Sequence, residues 1–178
     1  NWNGVKVLPY KLNPRKGQNV HPWLVDFDTK VTRAEACYHE AVKLREAGFT
    51  PDIIIAHHGW GESLFLKDVW PNAKLGLYCE LYHQSDYPHT GFDKEFQPEI
   101  KPVEALRLRL KNLNNHEHFD IADAGISPTH FQADTFPEEF RDKITVCHDG
   151  INTDVLTPDE NATLELETGE ILTRDDEI

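Results

Sequence analysis

The sequence predicts an α/β fold: a Rossmann-like, three-layer domain with a mostly parallel sheet. Short apolar stretches typical of strands alternate about four times with stretches of helical periodicity along residues 4–147. One stretch, Ile53–Ala56, is a continuous apolar run, which is typical of a strand buried on both faces of a parallel sheet. Polar and glycine-rich residues follow the strands, at the carboxyl ends where open α/β sheets bind ligands.

Length and composition restrict the possible classes of protein. The chain has 178 residues, of which 39% are hydrophobic, and a formal net charge of −13. This hydrophobic content is enough for a core and argues against disorder. The negative charge argues against binding to nucleic acid or anionic membranes, which are polyanions themselves. No apolar run approaches the ~18 residues of a membrane span and no signal peptide is recognisable, so we expect a cytoplasmic protein.

The first half of the chain contains three predicted strands and two predicted helices. Apolar side chains recur at helical spacing before Gly48, which supplies a stop signal. Alternation of apolar and polar residues marks the first strand, and β-branched or apolar runs mark the others. The predicted elements are a strand over Gly4–Tyr10, a helix over Thr29–Ala47, a strand over Ile53–Ala56, a helix over Ser63–Val69 and a strand over Lys74–Glu80.

The second half continues this alternation after a polar, aromatic loop at residues 82–99. Pro102 opens a stripe of apolar residues at helical spacing that runs to Leu113. The piece Leu106–Leu110 also alternates strictly, so a strand is the alternative there, although the longer window favours a helix. The remaining elements are a strand over Ala122–Ile126, a helix over Pro128–Phe136 and a strand over Lys143–Cys147.

The pattern changes beyond Gly150. Two short stretches, Ala162–Glu167 and Glu170–Thr173, flank Thr168-Gly169 and predict a small acidic hairpin outside the main core. We therefore predict a Rossmann-like domain at residues 1–156 and an acidic hairpin or linker at residues 157–178.

The most informative loop is His57-His58-Gly59-Trp60-Gly61-Glu62, which follows the strand Ile53–Ala56. Its two glycines let the backbone pass close to a ligand, and the helix that follows offers free N–H groups to an anion. A histidine at this point can accept a proton, donate a hydrogen bond to a sugar hydroxyl or face a phosphate. The alternative is a structural loop in which Trp60 fills the core and Glu62 caps the helix.

Other polar groups follow the neighbouring strands. Glu80 and Tyr82 lie in a segment suited to contacts with polyhydroxyl ligands, and are also ordinary loop residues. Ser127 is either a helix cap or a phosphate contact. Asp149 and Gly150 follow the last core strand, where a glycine allows a tight turn toward a cleft.

Metal and nucleotide motifs are the less favoured alternatives. The pairs His57-His58 and His116/His118 lack the i, i+4 spacing of a zinc-binding helix, so we predict no metal site and no cofactor. Walker, Gly-x-Gly-x-x-Gly and Gly-x-Ser-x-Gly motifs are absent from the sequence. The basic residues at 107, 109 and 111 are typical of a solvated helix face, and alternatively supply a cation to a nucleotide.

Taken in order, these motifs resemble the amino-terminal domain of a bacterial branch of family 4 glycosyltransferases. The resemblance rests on Pro51–Asp68 and continues through His21–Leu24, Asp123–Thr129, Phe140–Ile144 and His148–Ile151, over most of residues 20–156. It implies a GT-B architecture, in which two Rossmann-like domains face each other across a cleft. It also implies transfer of a sugar, with retention of configuration and without an obligatory metal, from a nucleotide-sugar donor to a glycan or lipid-linked saccharide.

The resemblance also implies roles for particular residues. His57 matches the family's histidine near the donor sugar and is the expected catalytic residue, whereas His58 stands where proline is usual in this branch. Residues of the same loop and of the next strand end are expected to contact the acceptor or its sugar: His58, Gly59, Trp60, Gly61, Glu62, Glu80 and Tyr82. Ser127, Asp149 and Gly150 are expected on the donor side of the cleft.

Finally, the resemblance implies a truncated domain within a larger enzyme. The family's first strand would precede Gly4 and its donor domain would follow Ile178, so we expect this piece alone to be inactive. The missing strand is expected to leave a sheet edge open to self-association. The expected partners are a nucleotide sugar, a saccharide acceptor and the missing carboxyl-terminal domain, with no nucleic acid. The alternatives are a non-catalytic Rossmann-like binding or regulatory module, and a sugar-nucleotide epimerase of the non-hydride kind.

Overall fold

The structure, a computed structural model, describes residues 4–12, 19–85, 95 and 101–176. They divide into two compact units, residues 1–148 and 149–178. The first unit contains a four-stranded sheet with its helices, and the second contains a two-stranded sheet. The domain boundary predicted after residue 156 stays a prediction.

The central sheet of the first unit is entirely parallel, with strand order β1-β2-β3-β4. Its strands are β1 Ile53–His57, β2 Lys74–Tyr78, β3 Ala124–Ser127 and β4 Ile144–Val146. Each agrees with a predicted strand to within two residues at either end. Parallel neighbours require crossover connections, and helices lie between successive strands in the chain. The α/β, Rossmann-like class is therefore confirmed.

Helices account for most of the remaining first unit. They are α1 Val25–Glu46, α2 Leu66–Val69, α3 Pro102–Lys111, α4 Leu113–Ile121, α5 His130–Ala133 and α6 Glu138–Arg141, with 3₁₀ turns at Pro22–Leu24 and His58–Trp60. α1 begins four residues before the predicted helix, because Asp26 and Asp28 place acidic side chains in its first turn. No helix within the described ranges has both the length and the apolar character needed to cross a bilayer.

The helical interpretation of the segment after Pro102 is confirmed, and the strand alternative at Leu106–Leu110 is wrong. α4 was not predicted as a separate helix. It carries buried polar residues, Asn114, Asn115 and His118, on its inner side, and these weaken the apolar stripe that would have marked it.

The core lies on one face of the sheet. Ile54 is partly buried and packs against two apolar clusters: one contains β2 residues with Phe119 and Phe136, and the other contains Ala41 of α1 and Trp70. On the opposite face, Ile53 and Ile55 are 63% and 72% exposed. The expectation that this strand is buried on both faces is therefore wrong.

The predicted strand Gly4–Tyr10 is also wrong. Residues 5–12 have no regular structure, and Val5, Val7 and Leu8 are exposed. An alternating sequence forms a strand only where a neighbour satisfies its backbone hydrogen bonds, and no strand of the sheet pairs with this segment. Within the described residues the outer edge of β1 has no partner strand, and self-association through it stays a prediction.

The second unit contains the predicted hairpin. β5 Leu164–Glu165 pairs antiparallel with β6 Ile171–Leu172. Gly169 has a φ of +82° in the connecting turn, a conformation that glycine adopts without steric cost. The loop predicted at residues 82–99 lies mostly outside the described residues.

Candidate functional site

A cleft of about 810 Å³ opens beside the carboxyl ends of β1 and β2. This is the edge at which parallel α/β sheets bind their ligands, and the volume is typical of a small-molecule site. The cleft is lined by Asp26, Lys30, His57, His58, Gly59, Trp60, Glu80, Leu81, His83, Lys111, Asn115, Thr129, Phe131 and Gln132. The cleft therefore brings together the first four residues of the predicted loop, His57–Trp60, and Glu80, which was predicted at the end of the next strand.

His57, the last residue of β1, is held through both ring nitrogens. Its Nδ1 accepts a hydrogen bond from the Gly59 N–H at 3.0 Å, so the proton of the neutral ring lies on Nε2. Nε2 then donates to Oε2 of Glu80 at 3.0 Å. The imidazole therefore offers an oriented N–H to a carboxylate, and its two nitrogens are both engaged.

Glu80 and Trp60 are the accessible members of this group. The Glu80 side chain is 57% exposed, so its carboxylate can accept hydrogen bonds from a ligand while it holds His57. Trp60 is 59% exposed and its ring stacks on His57 with centroids 4.9 Å apart. The interpretation that Trp60 fills the core is therefore wrong. An exposed aromatic face beside a carboxylate suits a ligand with one apolar face and hydroxyl groups at its edge.

Contacts within the protein leave little room for a side chain at either glycine of the loop. Gly61 has a φ of +98°, and a Cβ there would lie 2.6 Å from the backbone oxygen of Lys30 in α1. A Cβ at Gly59 would lie 2.8 Å from Cε1 of His57. Gly61 thus allows the loop to pass against α1, and Gly59 allows the His57 ring to fold back onto the loop.

His58 lies beneath His57 and is 2% exposed. Its Nδ1 donates to the amide oxygen of Asn115 at 2.5 Å. Burial lowers the pKa of His58 to about 3, even though the bond to Asn115 favours the protonated form. His58 is therefore neutral, and its Nε2 is buried without a hydrogen-bond partner in the described structure. The sugar contact expected for His58 stays a prediction.

Glu62 and Tyr82 do not line the cleft. Glu62 accepts a 2.6 Å hydrogen bond from the Tyr10 hydroxyl, and burial together with this carboxylate raises the pKa of Tyr10 to about 12. Tyr82 packs its ring against Phe136 and bonds through its hydroxyl to His116 at 3.0 Å. The sugar contacts predicted for both residues stay predictions.

The residues expected on the donor side belong to two different units, and their donor contacts stay predictions. Ser127 is fully buried at the end of β3. The helix cap at this point is Thr129, whose hydroxyl accepts a bond from the Gln132 N–H at 3.2 Å, so the capping interpretation of Ser127 is wrong. Asp149 and Gly150 belong to the second unit.

Three charged residues of the cleft were not predicted to lie there. Asp26 and Lys30 were not considered, and Lys111 was expected on a solvated helix face. Asp26 and Lys30, one turn apart on α1, form an ion pair of 2.8 Å at the cleft. Lys111 lines the cleft and has no acidic partner among the described residues, whereas the nearby Arg107 pairs with Glu104 at 2.8 Å. Within the described residues, no group of three His, Cys, Asp or Glu side chains is placed to hold a metal ion.

The fold and the cleft together define a Rossmann-like α/β domain with a polar, aromatic-lined site at its strand ends. A sequence profile described as the glycosyl transferase family 4 group matches residues 1–156. The chain therefore belongs to the glycosyl transferase family 4 group, the family its motifs resemble, and its class of activity is glycosyl transfer. No curated protein sequence matches the chain.

Proposed function

We propose that this cleft binds the sugars of a retaining glycosyl transfer from a nucleotide-sugar donor to a saccharide acceptor. In this proposal His57 and Glu80 lie at the transferring sugar and Trp60 lies under the acceptor. The observation that carries it is the 3.0 Å bond between His57 Nε2 and Glu80 Oε2 beside the exposed Trp60 ring.

The chemistry of the pair suits recognition of a hydroxyl group. Glu80 accepts a hydrogen bond from a sugar hydroxyl through the oxygen that His57 leaves free, and His57 fixes the orientation of the carboxylate. A preorganised carboxylate stabilises a developing positive charge without reorganisation during the reaction. We infer that these two residues orient the sugar and that they do not form a covalent bond to it.

The rest of the cleft supports a sugar ligand with an anionic group attached. Lys111 is a cation without an acidic partner in the described structure, and it lines the same cleft as Trp60. A phosphate of the donor, or an acidic group on the acceptor, would provide that partner. Asp26 and Lys30 add a hydrogen-bonding edge on the α1 side.

Binding is tested with the ¹⁵N-labelled 178-residue chain and a panel of saccharides and nucleotide sugars. We expect a saccharide to shift the indole N–H resonance of Trp60, and we expect Trp60→Ala to weaken binding by about tenfold or more. Phe49→Ala is the matched control, because Phe49 is also exposed, at 53%, and does not line the cleft. Equal losses in the two variants would contradict the proposed platform.

Catalysis is tested in the complete natural polypeptide that contains these residues. His57→Ala and Glu80→Gln are expected to lower turnover by about 100-fold or more, since preorganised polar groups supply effects of that size. His39→Ala, an exposed histidine on α1 outside the cleft, is the control. Wild-type turnover in His57→Ala would refute the role, and binding without any transfer would favour a non-catalytic module. The anomeric configuration of the product, measured by NMR, tests retention.

A further inference from the structure

The two loops that carry the candidate site are joined behind the cleft by a chain of buried hydrogen bonds. His58 Nδ1 donates to Asn115 Oδ1 at 2.5 Å, and Asn115 Nδ2 donates to Asn112 Oδ1 at 3.1 Å. Asn112 in turn holds the backbone of His83 at both ends: its Oδ1 accepts from the His83 N–H at 3.0 Å, and its Nδ2 donates to the His83 carbonyl at 2.7 Å. We call this chain, from His58 through Asn115 and Asn112 to His83, the asparagine bridge.

The asparagine bridge begins and ends next to the proposed catalytic pair. His58 follows His57 directly, and His83 lies three residues after Glu80. Both asparagines come from the junction of α3 and α4, so a single segment contacts both loops. The distance between the loops is thereby tied to the geometry of two amide groups.

The burial of these amides requires an explanation. His58, Asn112 and Asn115 are 2%, 2% and 3% exposed. An unsatisfied buried amide costs about 1–3 kcal/mol, and apolar side chains fill such space without this risk. A satisfied polar network instead fixes one arrangement, because each amide accepts and donates in a defined direction.

We propose that Asn112 and Asn115 are positioning residues that set the separation of His57 and Glu80. Asn115 reaches the lining of the cleft from behind and Asn112 does not line it. Their side-chain hydrogen bonds go to His58, to His83 and to each other, so they act on His57 and Glu80 through the two loops. The catalytic consequence rests on the proposed function, whereas the effect on the His57–Glu80 bond does not.

The alternative is that the asparagine bridge only stabilises the fold, and the structure supplies a matched control for it. Ser63 Oγ donates to His118 Nε2 at 2.6 Å, and His118 Nδ1 donates to the Asn114 carbonyl at 2.8 Å. Ser63 and His118 are as deeply buried, at 1% and 0% exposure. This bond ties α4 to the first loop alone, so Ser63→Ala removes a comparable buried hydrogen bond without severing the link to the second loop.

The experiment follows the Nε2 proton of His57 by long-range ¹H–¹⁵N NMR on the histidine-labelled 178-residue chain, without substrate. In the wild type we expect the Nε2–H tautomer with a proton protected from exchange by Glu80. Asn115→Ala should accelerate exchange of this proton by about tenfold or more, because loosening of the loops raises the population of the open form. Ser63→Ala should leave the exchange rate within about twofold, with thermal stability lowered to a similar extent in both variants.

Equal acceleration in Asn115→Ala and Ser63→Ala would overturn the proposal, and so would an unchanged rate in Asn115→Ala. Should Asn115→Ala fail to fold, Asn112→Asp decides the matter: it keeps the acceptor for His83 N–H and Asn115, loses the donor to the His83 carbonyl, and should still accelerate exchange.

In the complete polypeptide, Asn115→Ala should lower kcat by about 100-fold with little change in KM. In the Glu80→Gln background the same change should cost almost nothing further. Failure of the sugar-binding test alone would refute the proposed function and leave the NMR result standing.

Discussion

Replacement of Gly61 by alanine tests the packing that holds the site loop against α1. Gly61 has a φ of +98°, and an added Cβ would lie 2.6 Å from the Lys30 carbonyl oxygen and 2.7 Å from Lys30 Cα. The left-handed conformation costs an alanine about 1–2 kcal/mol. The contact with Lys30 is with backbone, which no change of rotamer relieves, and overpacking of this kind costs about 1–3 kcal/mol more. We therefore expect a total destabilisation of about 2–5 kcal/mol.

The measurement is urea and thermal unfolding followed by circular dichroism. A loss of this size lowers the Tm of a chain of this length by about 4–20 °C. Gly48→Ala is the matched control: Gly48 has a φ of +88° in the same unit, and nothing lies within 4 Å of its added Cβ. It carries the conformational cost alone, so Gly61→Ala should exceed it by about 1–3 kcal/mol. Equal destabilisation in the two variants would show that the contact with Lys30 is relieved and that the reasoning is wrong.

Three further predictions concern the same loop and its surroundings. Gly59→Ala places a Cβ 2.8 Å from His57 Cε1, so it should displace the imidazole and lower sugar binding and turnover far more than it lowers Tm; a normal His57 Nε2–H signal in this variant would contradict it. Burial holds the pKa of His58 at about 3 in the folded chain against 6.5 in the unfolded chain, so the unfolded chain binds more protons between these values. Stability should therefore fall as the pH drops below 6.5, by at most about 1.4 kcal/mol per pH unit from this group, and urea unfolding of His58→Gln should show a weaker dependence. Burial and Glu62 raise the pKa of Tyr10 from 10 to about 12, so its stabilisation is present below pH 10 and is lost as the pH rises toward 12; Glu62→Gln should lower the phenol pKa in a spectrophotometric titration.

Much of the fold was predictable because the central strands are short apolar runs bounded by turn signals. β1 and β2 each begin at the predicted residue, and both are confirmed in the parallel order that alternating strands and helices imply. The failures have a common physical cause. Gly4–Tyr10 alternates like a strand, and Ile53 and Ile55 look like core residues, but pairing and burial are decided by neighbours in space, which a local pattern does not contain.

The residues of the candidate site also fall into two groups, those that the sequence predicts and those that it does not. His57, Trp60 and Glu80 were predicted as candidates because they lie at or shortly after the ends of predicted strands, at the edge where ligands bind. Asn112 and Asn115 were missed, since a buried asparagine on a helix has no periodic signature and its role depends on a partner more than twenty residues away in sequence. A signal was nevertheless present: several asparagines interrupt the apolar stripe that leads into α4, where a helix otherwise favours other residues.

Because the core lies on one face of the sheet, the three isoleucines of β1 should differ in how well they tolerate substitution: Ile54 poorly, and Ile53 and Ile55 well. Ile54 is partly buried and packs against both apolar clusters, so truncation to alanine should cost about 2 kcal/mol, the lower end of the range for core residues, and is a poor choice for engineering. Ile53 and Ile55 contribute little to that core. Threonine at either position keeps a β-branched side chain suited to a strand and reduces the apolar area exposed to water. A doubly substituted chain, Ile53→Thr with Ile55→Thr, is therefore the natural starting material when high concentrations are needed, because its colloidal behaviour can be improved without a change in the packed interior.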